Sequence, residues 1–298
     1  MRYLSLKRAF FLLFTPLFCL SACQSPDTSA SVPNRESDLH FPLPNEPDES
    51  DFPIQDVPAP PISEEIPIQT DEWDVSDVDI SHINANRKLI AFTFDDAPAR
   101  TIENIFAVFA NFNEEYPDQK ASATLFLNGG RFDAQTPHLL ATACALGFEL
   151  GNHTTSHFDL TTLNEEEIRN EINRTDALLQ KADGKARHLL RAPFGRVNER
   201  VKACAYAPII NWTIDTLDWT GITADEIYER VFSRRFSGAI VLMHDGYTPT
   251  VSALKRLLPD LAADGYQVVS VSQLIKAHGC TFKRGGEYIR ALKRQKNI

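Results

Sequence analysis

From Arg87 to about His278 the chain alternates apolar runs of strand length with amphipathic stretches of helix length. The apolar runs are Lys88–Phe94, Ser122–Asn128, Phe148–Gly151, His188–Arg191, Pro208–Asn211, Ala239–His244 and Gln267–Val271. Between them lie Glu103–Phe112, Asn164–Lys181, Thr223–Phe232 and Val251–Ala263. In Asn164–Lys181, Ile168, Ile172, Leu178 and Leu179 share one side and the acids are expected opposite. Such alternation favours a parallel sheet or a barrel, because each crossover helix returns the chain to start another parallel strand. Seven units in this length predict an α/β barrel with fewer than eight strands.

The rest of the chain is different. Arg2, Lys7 and Arg8 precede an apolar run, Ala9–Leu20, that suits a signal-peptide core and is too short to span a bilayer. It ends in Leu20-Ser21-Ala22-Cys23, which resembles the lipobox of bacterial lipoproteins. Cleavage before Cys23 and lipidation of its thiol are therefore expected. Gln24 follows, not the Asp that favours inner-membrane retention in enterobacteria. The expected location is the cell envelope, on the periplasmic face of the outer membrane if the host is Gram-negative.

Residues 24–67 hold ten prolines, and residues 24–79 hold fifteen acids against one base, Arg35. A segment so polar and proline-rich buries too little apolar surface to offset its ordering entropy, so residues 23–83 read as a disordered acidic linker. Trp73, Val75, Val78 and Ile80 are the side chains of this segment able to lie against a core. Residues 84–280 form the expected catalytic domain, and 281–298 a basic, peripheral tail.

These divisions change the meaning of the net charge of −10. The signal contributes +3 and residues 24–79 contribute −14, leaving 26 bases and 25 acids elsewhere. The acidity belongs to the linker, and the remainder is nearly neutral. A neutral domain suits an uncharged polymer, and no nucleic-acid partner is expected, since phosphate binding calls for a basic surface. A monomer is expected. With Cys19 in the signal and Cys23 lipidated, Cys144, Cys204 and Cys280 remain, enough for one disulfide of open pairing in an oxidising compartment.

Five motifs stand at or just beyond the C-terminal ends of the expected strands, where α/β barrels and sheets carry their sites. They are Thr93-Phe94-Asp95-Asp96, His153-Thr154-Thr155-Ser156-His157, Arg191-Ala192-Pro193-Phe194-Gly195, Asp215-Thr216-Leu217-Asp218-Trp219 and Leu242-Met243-His244-Asp245. Adjacent carboxylates after a buried strand are costly without a positive partner. Two histidines four apart share one side of a helical turn and can grip one metal. With a carboxylate they make a set that leaves positions open for water and substrate. An arginine can neutralise and orient a carboxylate, and a histidine at the end of a strand can act as a general acid.

In this order the five motifs resemble the NodB-homology polysaccharide deacetylases, carbohydrate esterase family 4, over roughly residues 84–278. The resemblance implies a distorted (β/α)₇ barrel. It also implies a divalent metal, most often zinc with cobalt or another ion as alternatives, and removal of acetyl groups from an acetylated polysaccharide. Carried over by position, Asp95 is the catalytic base, Asp96, His153 and His157 are the metal ligands, and Arg191 orients Asp95. His244 is the general acid and Asp218 sets its protonation. The backbone N–H of Phe194 stabilises the oxyanion, while Trp219 and Leu242 line the pocket for the acetyl methyl. Ala97 stands where the family usually has glycine, so its methyl is expected to alter the turn or narrow a subsite.

The leading substrate is N-acetylglucosamine-containing glycan: peptidoglycan, chitin-like chains or poly-N-acetylglucosamine. An O-acetyl xylan-type esterase is the alternative, and a non-catalytic glycan-binding lipoprotein a further one. No G-x-S-x-G or H-E-x-x-H is present to support a serine hydrolase or a zincin.

Overall fold

The computed structural model describes residues 71–84 and 86–293. The signal segment, Cys23 and the linker up to residue 70 lie outside them. The strands are β1 (Lys88–Ala97), β2 (Thr124–Leu127), β3 (Glu149–Asn152), β4 (Ile209–Ile210), β5 (Ile214–Asp215), β6 (Ile240–His244), β7 (Tyr266–Val269) and β8 (Glu287–Tyr288). The helices are α1 (Ile102–Glu115), α2 (Thr136–Ala145), α3 (Glu165–Asp183), α4 (Glu199–Cys204), α5 (Ala224–Arg234), α6 (Thr248–Ala263) and α7 (Val271–His278).

All the strand pairs are parallel, in the order β3-β2-β1-β6-β5, and β7 joins the first half of β1. Single bridges from Asn152 to Leu190 and from Leu190 to Ile209 carry the curve on to β4, which pairs with β8. This is a barrel of the kind the strand–helix alternation predicts, with the distortion that the resemblance implies; two-residue β4, β5 and β8 bring the strands among the described residues to eight. β1 is its central stave: every residue from Leu89 to Asp95 is buried. A strand flanked on both sides and covered by helices is apolar along its whole length, without the two-residue alternation of a half-exposed strand. The helices lie outside, and the largest core cluster joins α1 and α6 to the outer face of β1, β2 and β6.

Several differences from the sequence reading have physical reasons. Residues 188–191 supply two single bridges, both at Leu190, and no strand, because the site loop leaves immediately afterwards. The two-residue strands β5 and β8 include the polar residues Asp215 and Glu287 and form no apolar run, unlike Ile209–Ile210 of β4. The tail is not wholly peripheral: β8 pairs with β4, Ala291 is buried and Ala239 bridges to Arg290. Of the linker side chains, Trp73 and Val75 pack against the core together with Ile83, whereas Val78 and Ile80 do not join that cluster. Cys144, Cys204 and Cys280 make no disulfide among the described residues, so the expected bridge is absent there.

Candidate active site and metal centre

The parallel pairing of β1 with β6 sets Asp95 opposite His244. Strand order then puts β3, with Asn152 at its end and His153 next, two places from β1. The residues of the five motifs therefore converge at one end of the barrel from sequence positions far apart.

Asp95 is buried. Its Oδ1 accepts from Arg191 Nη1 at 2.7 Å, and its Oδ2 lies 3.7 Å from His153 Nε2. Arg191 is 0% exposed. It also donates through Nη1 to Thr93 Oγ1 at 2.6 Å and through Nε to the Ile210 carbonyl at 2.8 Å, while its guanidinium lies over the Phe126 ring. A buried cation held at so many points fixes the carboxylate it faces and leaves Asp95 one free oxygen.

Asp96 faces the other way. Its φ is 62°, left-handed for a residue with a side chain, and this turns neighbouring carboxylates onto separate tasks. Asp96 Oδ1 is 3.5 Å from His157 Nε2 and 3.8 Å from His153 Nε2. It is buried and has no hydrogen-bond partner. Nitrogen and oxygen ligands about 2.1 Å from a tetrahedral cation lie roughly 3.4 Å apart, close to these separations. His153 Nδ1–H donates to the Arg191 carbonyl at 2.8 Å, which leaves the Nε2 lone pair toward Asp96. Burial above all pushes the His157 pKa down to about 4, so its imidazole is neutral at ordinary pH. An orphaned carboxylate oxygen and two imidazole lone pairs at this spacing fit a divalent cation. Among the described residues they are the one group of three His, Cys, Asp or Glu side chains with that geometry.

The two histidines do not share a helical turn, as their spacing suggests. They sit on an open loop with left-handed Thr154 (φ 67°) and His157 (φ 56°), and the loop brings the two rings together.

On the opposite side, His244 Nδ1–H donates to Asp218 Oδ1 at 2.7 Å, and its backbone N–H donates to Asp218 Oδ2 at 2.8 Å. Thr250 Oγ1–H donates to the same Oδ2 at 2.7 Å. Burial acts against a charged imidazole here. The hydrogen bond and charge of Asp218, joined by Asp95 and Asp96, outweigh it and hold the His244 pKa above its ordinary value.

Phe194 has φ 60°, is 60% exposed and meets the His157 ring edge to face. Trp219 is 51% exposed on the turn after β5, while Leu242 is 3% exposed within β6, paired in register with Thr93 and Asp215. Ala97 is fully buried in the main core cluster. The left-handed residue of this turn is Asp96.

Other residues at the site escaped the sequence reading. Thr93 and Thr250 bridge the charged groups. Arg131, on the turn after β2, brings its guanidinium to 4.0 Å from Asp96 Oδ1 and makes no side-chain hydrogen bond among the described residues. Thr93 lies inside a motif and was legible in principle; Thr250 and Arg131 lie in ordinary helix and loop sequence.

Residues 82–208 match the family model described as polysaccharide deacetylase. A peptidoglycan-N-acetylglucosamine deacetylase of Bacillus cereus is 34% identical over 199 residues, 64% of this chain and 90% of that protein. The peptidoglycan-N-acetylmuramic acid deacetylase PdaC of Bacillus subtilis is 32% identical over 192 residues, again 64% of this chain but 40% of that protein's length. A family 4 acetyl xylan esterase from Clostridium thermocellum, solved with cobalt, superposes with a TM-score of 0.62 at 25% identity, covering 68% of this chain and 98% of that one. With this fold and these relatives, the chain belongs to the polysaccharide deacetylases, the NodB-homology enzymes of carbohydrate esterase family 4.

Proposed function

We propose that the protein is a metal-dependent N-deacetylase of N-acetylglucosamine-containing polysaccharide, releasing acetate and leaving a free amino sugar. The observation that carries this reading is the pairing of a buried, arginine-held carboxylate with an aspartate-held histidine on adjacent strands, Asp95 opposite His244. Asp96, His153 and His157 would hold the divalent cation, zinc or another such ion, which supplies Lewis acidity and a water acidic enough to attack at neutral pH.

The chain's own residues do the rest. Arg191 holds Asp95 in place, and Asp95 takes the proton from the attacking water through its free oxygen. The backbone N–H of Phe194 stabilises the developing oxyanion. His244, whose protonated form Asp218 favours, donates a proton to the departing amine nitrogen, which would otherwise leave poorly. Trp219 and Leu242 bound the space for the acetyl methyl.

A polysaccharide N-acetyl substrate is favoured by the two peptidoglycan deacetylase relatives. An O-acetyl ester substrate is the second reading, favoured by the likeness to the acetyl xylan esterase. Acetate release measured on peptidoglycan, chitin oligomers, poly-N-acetylglucosamine and acetyl-xylan, with and without chelator, separates the two. Chelator-sensitive release from the amide substrates is expected, and release from xylan alone would overturn the N-acetyl reading.

The sequence Leu20-Ser21-Ala22-Cys23 supports export as a lipid-anchored envelope protein. Among the described residues no helix is long and apolar enough to cross a membrane. The Cys23→Ala variant is expected to lose palmitate labelling and leave the membrane fraction; unchanged fractionation would sink the anchor.

A further inference from the structure

The loop from His153 to His157 holds two non-glycine residues in left-handed conformations, and such residues persist only where the surroundings over-determine them. What surrounds this loop is specific. On one side stands α3, whose Glu171 is buried. Glu171 Oε2 accepts from the backbone N–H of Thr155 at 3.1 Å and of Ser156 at 2.7 Å, and the Glu171 carbonyl accepts from Thr155 Oγ1 at 3.1 Å. On the other side is the turn after β2. There Gly129 N–H donates to the Thr154 carbonyl at 2.9 Å, and Gly130 N–H to the Thr155 carbonyl at 2.8 Å. The turn lies so close that a Cβ on Gly130 would sit 2.5 Å from the Thr155 carbonyl oxygen. The remaining loop N–H, that of Thr154, donates to Asn152 Oδ1 at 2.8 Å. Asn152 in turn donates to Asp176 Oδ1 on α3 at 2.8 Å.

Thus the three residues between the histidines have each backbone N–H received by a side chain, and two of their carbonyls met by glycine N–H groups. None of these partners is itself Asp96, His153 or His157. The arrangement sets the separation and tilt of His153 and His157 from outside the ligand set.

We propose that Glu171 is a positioning residue, forming with the Gly129–Gly130 turn a clamp that holds the His153–His157 loop in its metal-ready shape before a cation arrives. This rests on the reading of Asp96, His153 and His157 as a metal site. The chemistry is acceptance of two N–H groups by one oxygen, which a glutamine carbonyl reproduces and an alanine does not. Partners one shell removed from a metal ligand are commonly worth about 10–100-fold in metal affinity.

The test is zinc affinity of the full chain by competition with a chromophoric chelator, with circular dichroism and a melting curve on each metal-free variant. The Glu171→Ala variant is expected to bind zinc about 10–100-fold more weakly, and Glu171→Gln within about threefold of the unaltered protein. Zinc affinity unchanged in Glu171→Ala overturns the proposal, as do equal losses in the two variants. Should Glu171→Ala not fold, Gly130→Ala presses on the loop from the other side, and unchanged affinity there overturns the clamp. If the unaltered protein binds no zinc or cobalt, the metal reading itself falls, an outcome distinct from the failure of the clamp.

Discussion

Asp95 and Asp96 are neighbours with opposite surroundings, and their difference divides the chemistry. Asp95 is tied to Arg191, whereas Asp96 turns to the histidines with a buried oxygen that has no hydrogen-bond partner. Asp95→Asn is therefore expected to lower kcat/KM by roughly 10²–10⁴-fold while zinc binding persists. Asp96→Asn is expected to lose both, and calorimetric titration of the two variants beside rate measurements distinguishes them. His244 supplies a second test. Its pKa is raised because Asp218 and the other carboxylates outweigh burial, so the protonated form survives to higher pH than an ordinary histidine. Asp218→Asn removes that support and should move the alkaline limb of the kcat/KM profile to lower pH; an unmoved limb would count against His244 as the acid. At this scale most of the site was legible, because ionisable residues ending apolar runs, Asp95, His153, Arg191 and His244, have few other reasons to be there. Thr250 and Glu171 were not, since each sits within a helical pattern and gains its role only through packing.

Among the elements, α3 departs furthest from a simple amphipathic reading. Its ends follow local rules: Asn164 and Glu167 form a capping box, and Gly184 closes the helix in a left-handed conformation. Its inner face carries Ile168, Ile172 and Leu179, but also the buried Glu171, Thr175 and Asp176, so acids are not confined to the solvent side. Charge on a helix predicts exposure only when no partner waits inside, and the partners here lie on β3, at Thr155 and Ser156 in the loop after it, and in residues 187–188. His188 donates to Asp176 Oδ1 at 3.0 Å and Asp183 Oδ1 at 3.2 Å. Burial lowers its proton affinity, but the two carboxylates prevail and raise its pKa to about 9. A folded-state pKa above the unfolded value gives stability that is complete below about pH 6.5 and is lost as pH rises through about 9. That contribution is on the order of 3 kcal/mol. His188→Gln should be less stable at pH 6.5 and should flatten the decline toward pH 9 in denaturant titrations; an equally steep decline would rule His188 out as its source. The remaining helices show where sequence reading stops. α2 buries only Thr136, Leu140 and Ala143, too sparse a stripe to announce itself, and α4 is six residues long.

Across the whole molecule, the catalytic end of the barrel depends on segments that read as accessory. Arg191 reaches the Ile210 carbonyl at 2.8 Å and so takes its position partly from β4, whose other edge is covered by β8. Asn211 Nδ2 donates to Glu287 Oε1 at 2.9 Å, Ala291 N–H donates to the Gly238 carbonyl at 2.9 Å, and the Ala291 carbonyl accepts from His278 Nδ1 at 2.7 Å. The C-terminal segment thus joins β4 to the start of β6 and completes the ring. Just before it, Phe282 receives the N-terminal segment through Trp73 N–H at 2.8 Å, and Lys276 Nζ donates to the Ser76 and Val78 carbonyls, both at 2.7 Å. Three truncations separate tether from fold. Removal of residues 1–70 takes away charge and prolines but none of these contacts, so melting temperature and acetate release from soluble oligomers should stay as they are. Removal of residues 1–83 also strips Trp73, Val75 and Ile83 from the core and should lower the melting temperature by roughly 5–10 °C, at about 2–4 °C per kcal/mol for a domain of this size. Loss of residues 284–298 should lower it by about as much, but should also depress kcat beyond what partial unfolding explains, because Arg191 and hence Asp95 lose the backing of a paired β4. A C-terminal truncation with unaltered kcat at a temperature where it is fully folded would show that the ring closes for stability alone.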